Sequence, residues 1–131
     1  MSEFSTYFEN KIIDLMRSQA FTEIAAYVAL FDTTASLANL EAGTLTGEIS
    51  GSGYVRQLAG LSAPSDGVSA NGSDISFPQA TGDWGTVRYC ALMDASSGGN
   101  VLMYAQLDAD KTVNNGDTFK FLAGELDVVV T

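Results

Sequence analysis

The chain has 131 residues, 46% apolar and 17% charged, a balance that suits one globular domain and excludes a disordered one. Its net charge is −10, and the six bases, Lys11, Arg17, Arg56, Arg88, Lys111 and Lys120, form no run. Neither nucleic acid nor an anionic membrane surface is therefore expected as a partner.

Residues Ser2 to Gln19 read as one helix, with Phe4, Phe8, Ile12 and Leu15 at the helical period and Ile13 and Met16 widening the stripe. Ser2 is the expected cap, and Glu3 and Glu9 lie toward the positive end of the dipole. The same opening residues hold no basic segment followed by an apolar one, so no signal peptide is expected. A joint is expected near Ser18 to Thr22, dividing the chain into an N-terminal helix or arm, residues 1–20, and a β domain, residues 21–131.

Ile24 to Phe31 is a short apolar run, strand-like and covered on both faces. Asp32 to Gly53 is polar and rich in small residues, with Thr44 to Ile49 as a candidate strand inside it. Tyr54 to Leu58 is the next strand, Leu61 to Asp74 a loop broken by Pro64, Gly67 and Gly72, and Ile75 to Phe77 a short strand ended by Pro78. Trp84 to Met93 and Val101 to Leu107 flank a Ser-Ser-Gly-Gly-Asn turn, with Val101, Met103, Ala105 and Leu107 assigned to one face. Asn115-Gly116 is a tight-turn dipeptide linking Lys111–Val113 to Thr118–Leu122, and Leu126 to Val130 is the final strand. One helix followed by about eight short strands predicts a mainly β fold: an antiparallel β-sandwich, jelly-roll-like, with an N-terminal α-helix.

No histidine is present, which removes Ser-His-Asp and Cys-His catalysis and the commonest transition-metal ligand. No motif selects a catalytic pair among the sixteen carboxylates, which read as solvated acids. Cys90, the single cysteine, lies in the apolar run Val87 to Met93 and reads as a buried inert thiol. Asp108-Ala109-Asp110 with Asp117 offers oxygen ligands but lacks the full calcium-loop pattern, so an acidic turn is expected. Trp84 reads as packing and not as a sugar platform. No catalytic residue, metal or cofactor is therefore expected. The residues assigned to partner binding are Phe4, Phe8, Ile12 and Leu15, because an isolated helix of this length needs a surface to lie on.

The second half, Ala80 to Val130, resembles a family of small tailed-phage structural proteins of the tail-fibre-like kind. The resemblance rests on Trp84-Gly85-Thr86-Val87, the turn Asp94 to Asn100, Lys111 to Asp117, and Ala123-Gly124, in that order. Phe8-Glu9-Asn10-Lys11-Ile12-Ile13-Asp14 and Tyr27-Val28-Ala29-Leu30-Phe31 resemble the family's opening helix and first strand. The resemblance implies a non-enzymatic component of the phage virion, assembled in the host cytoplasm. The expected partners are the major capsid protein or other virion proteins, and the expected assembly is a homo-oligomer, a trimer as the first expectation. Two roles follow as expectations: a capsid decoration, or cement, protein, which is preferred, and a tail or tail-fibre component contacting the host surface.

Overall fold

The computed structural model describes residues 1–130. In chain order the elements are β1 (Glu3–Phe4), α1 (Thr6–Met16), β2 (Tyr27–Asp32), α2 (Leu37–Glu41), β3 (Gln57–Leu58), β4 (Val68–Ala70), β5 (Ile75–Ser76), β6 (Gly85–Met93), β7 (Val101–Val113), β8 (Lys120–Phe121) and β9 (Asp127–Val129). Five strands form one antiparallel sheet in the order β1-β7-β6-β2-β3. Two ribbons, β4-β9 and β5-β8, accompany it.

The sheet is apolar on both faces because β2 and β6 are near-continuous apolar runs. Val28, Leu30, Val87, Cys90, Leu92 and Met103 face the ribbon side and share a core with Ile75, Phe77, Phe119, Phe121 and Leu126. Ala29, Phe31, Ala91, Met93 and Tyr104 face the other side, where Leu40 of α2 covers them. The molecule is thus mainly β and sandwich-like with an N-terminal helix, as the sequence predicts. Its second layer is built from two short ribbons and connecting loops in place of a second full sheet.

Several local expectations are corrected. The helix starts at Thr6, and its cap is Ser5, not Ser2. Residues Glu3 and Phe4 instead pair with Tyr104 and Met103, which satisfies their backbone on the sheet edge. Ser5 is fully buried: its N–H donates to Leu102 O at 2.8 Å, its hydroxyl donates to Val101 O, and Phe8 N–H donates to its Oγ at 3.1 Å. Thr44 to Ile49 is no strand and makes only an isolated bridge, Glu48 to Phe31. Leu61 to Asp74 contains β4, which is held by β9 from the far end of the chain, a pairing no local pattern announces. The short α2 was not expected; Ser36 caps it by accepting Asn39 N–H at 3.1 Å, and its five residues are too few to show a period.

β7 is far longer than Val101 to Leu107 and carries two irregularities. Leu92 pairs with Met103 and Met93 with Val101, so Leu102 is an extra residue and Val101 turns to the face opposite Met103. Val87 pairs with Lys111 and Tyr89 with Gln106, so Arg88 alone spans the stretch of β7 from Leu107 to Asp110. The Asn115-Gly116 turn is present, with Gly116 at φ +91 and Asp117 N–H donating to Asn114 O at 2.9 Å. It joins strands that do not pair with each other: β7 stays on β6, while β8 crosses to β5.

The recurrent turn residues have definite tasks. Asp94 accepts Asn100 N–H at 2.7 Å and its side-chain amide at 2.9 Å, closing the β6-β7 hairpin. Buried Asn71 donates to Ser73 O and Leu122 O and accepts Leu126 N–H at 3.0 Å, tying two loops across the second layer.

Candidate docking face

Several polar and reactive side chains are engaged within the fold. Arg56 is 5% exposed and forks onto Glu48, Nε to Oε2 at 2.7 Å and Nη2 to Oε1 at 2.8 Å. Its Nη1 donates to Ala95 O and Gly98 O, so the guanidinium ties the 48–56 loop to the β6-β7 turn. Tyr54 donates to Glu48 Oε2 at 3.0 Å and accepts Leu30 N–H at 3.0 Å; burial raises its pKa far above the ordinary phenol value. Nothing in the sequence spacing of Glu48, Tyr54 and Arg56 marked this network. Its signal is a lone arginine in a polar, otherwise uncharged stretch.

Cys90 is buried under the ribbons, and burial pushes its thiol up to about 12. Trp84 is buried edge-on to Tyr54 at 5.5 Å, and its indole N–H donates to Ser52 O at 2.9 Å. Both are core residues. Because the thiol and the Tyr54 phenol stay neutral in the native state and ionise in the unfolded chain, the unfolded state holds fewer protons at alkaline pH. Stability is thus expected to fall as pH rises from about 9 towards 12, with a slope of up to about 1.4 kcal/mol per pH unit for each group. Urea denaturation across that range measures it, and a flat profile would contradict the burial of both groups.

Asp108 and Asp110 sit in the looped-out part of β7. Arg88 donates to Asp110 through Nη2 at 2.7 Å and Nε at 3.0 Å, and this pairing holds the carboxyl below the usual carboxylate range. Among the described residues, no group of three Cys, Asp or Glu side chains is placed to hold a metal ion.

The N-terminal segment carries the exposed apolar surface. Phe4 and Phe8 meet edge to face at 5.6 Å, both pack against the core, and Phe8 also contacts Phe21 at 6.2 Å. Ile12 is half-buried on the same stripe, and Leu15, near the end of α1, is 53% exposed. The structure therefore turns the Phe4–Phe8 end of the stripe onto the chain's own core and leaves the Leu15 end open. Ser18, at φ +62, reverses the chain there, and residues 17–26 run outside any element.

Beside Phe8, at the other end of the stripe from Leu15, lies a groove of about 520 Å³. Its floor is Leu92, Leu102 and Met103, and its rims are Phe8, Ile24, Leu58, Leu61 and Val130. No charged residue lines it. Of the residues the sequence assigns to partner binding only Phe8 lines this groove; the lining comes from six separated segments, which the β1-β7, β6-β7, β2-β6, β2-β3 and β4-β9 pairings bring together.

A sandwich-like β domain whose buried polar side chains are hydrogen-bonded within the fold, and which carries an open apolar groove, has the build of a structural protein. The comparisons give the particular family: residues 3–129 match Podophage GP4 fiber I protein gp80, and the chain belongs to this family of phage fibre proteins. It is a structural protein of the phage virion. No curated protein matches the chain.

Proposed function

We propose that the chain is a non-enzymatic component of a tail fibre, seated on another virion protein through the apolar groove and the exposed end of α1. The observation that carries this reading is the groove itself: an uncharged, concave surface of about 520 Å³ on a chain of net charge −10, in a fibre family. Covering exposed apolar area of this kind contributes about 25 cal/mol per Å², and repeated copies in a particle convert a modest contact into a firm one. Leu15, with Phe8 and Ile12 behind it, is the helix's contribution, while Phe4 acts by holding the arm in place.

The compact β domain supports a second reading, capsid decoration on the major capsid protein. Copy number separates the two. Quantitative mass spectrometry of purified virions is expected to give a small fraction of the major capsid protein's copies for a fibre, and a comparable number would carry the decoration reading instead. The docking surface is tested by Leu58→Lys with Leu61→Lys, both on exposed positions. Incorporation into particles is expected to drop at least about tenfold, given the roughly 1.4 kcal/mol that such a change represents. Undiminished incorporation of a folded variant would remove the groove from the interface.

A further inference from the structure

We propose that a second copy of this chain docks on the outward face of α1, in an antiparallel two-fold pair centred on Ile13. This face lies away from the Phe8–Ile12–Leu15 stripe, of which Phe8 borders the groove. At 3.6 residues per turn, Glu9 and Ile13 follow one another at i and i+4 on α1, Arg17, the C-cap residue, continues the row one turn further on, and Asn10 and Met16 lie beside them. All are exposed, Ile13 by 52% and Met16 by 76%, and none of the helix is buried.

The order along the face is acid, apolar, base. A two-fold axis through Ile13 maps four residues before it onto four residues after it. Ile13 then meets its own copy, Glu9 of each chain faces Arg17 of the other, and Met16 meets Asn10. The two ion pairs arise from one stripe, which is the self-complementarity an isologous contact requires. Arg17 already donates to Asp14 through Nη1 at 2.9 Å, but its side chain is 68% exposed and its planar fork has further N–H groups for a second carboxylate. Antiparallel packing also opposes the two helix dipoles favourably.

Charge selects a second copy over an unlike partner. Two chains of net charge −10 repel wherever their acids face each other. On this face one acid and one base balance each other, and the two-fold arrangement sets each against its opposite in place of its like. The area of two three-turn helices falls well below the roughly 1,200–2,000 Å² of a stable interface, so the pair is weak and reversible in solution. Two-fold closure makes the expected unit a dimer and not a trimer.

The test is sedimentation velocity on the purified full chain from micromolar to millimolar concentration, with no virion protein present, so its outcome is independent of the groove. The wild-type chain is expected to dimerise with rising concentration, less so at high salt. Glu9→Lys and Arg17→Glu should each weaken the dimer by about tenfold or more, because each sets like charges face to face. The double variant Glu9→Lys with Arg17→Glu restores opposite charges and should regain the dimer, a rescue that loss of helix structure would not give. A wild-type chain monomeric throughout, a trimer, or a dimer indifferent to the single reversals would each overturn the proposal.

Discussion

Replacing Arg56 with alanine is expected to lower the stability of the chain by about 3 kcal/mol, at the lower end of what breaking a buried ion pair costs. The substitution leaves the Glu48 carboxylate, only partly reached by water, without its fork, and leaves Ala95 O and Gly98 O without their donor. It also frees the β6-β7 turn from the 48–56 loop. For a domain of this size the melting temperature should drop by about 10 °C. Arg56→Lys should fall between the two, since one ammonium cannot reproduce four directed N–H bonds. Thermal and urea denaturation measure both, and a loss below about 1 kcal/mol for the alanine variant would mean that water substitutes fully for the guanidinium.

Gly47→Ala should cost roughly 2–4 kcal/mol, from two separable sources. Gly47 lies at φ +87, where a Cβ is disfavoured, and the added methyl would stand 2.7 Å from Asp32 Oδ1 and 2.8 Å from Ala35 N. Those atoms cannot yield cheaply: Asp32 Oδ1 accepts Thr34 N–H at 2.8 Å and the Thr34 hydroxyl at 2.6 Å, and Asp32 N–H donates to Gly47 O at 2.8 Å. Gly43 provides the control. It has nearly the same φ, +83, but open space around the missing Cβ. Gly43→Ala should therefore show only the conformational part, about 1 kcal/mol. Equal losses for the two variants would show that the 32–47 turn opens without cost.

Both effects arise where the sequence was least informative. The apolar runs Tyr27–Asp32 and Gly85–Met93 were legible because central strands covered on both faces are continuous in sequence. The stripe of α1 was legible because its period is local. Its partner was not, since a helical period says that a face needs covering and not by what; the structure lays Phe8 on its own core and exposes Leu15. Asp32 to Gly53 read as featureless polar chain, yet it holds α2, the Gly47 turn and the carboxylate that anchors Arg56. Its order comes from single hydrogen bonds to distant backbone, which leave no periodic trace. The long β7 was undercalled because polar residues from Gln106 to Thr112 break the alternation expected of a half-buried strand, and the looped-out stretch opposite Arg88 shifts the phase on either side.

That irregularity in β7 also governs how copies tolerate crowding. An open sheet edge is a template on which like chains zip together into cross-β aggregates. Here one edge is closed by β1 over Met103 and Tyr104 only, and beyond it β7 is interrupted by the extra residues opposite Arg88 and carries Asp108 and Asp110. The opposite edge, β3, is two residues long. Neither rim offers a long, uncharged run to an incoming strand, which disfavours edge-to-edge pairing of one copy's sheet with another's.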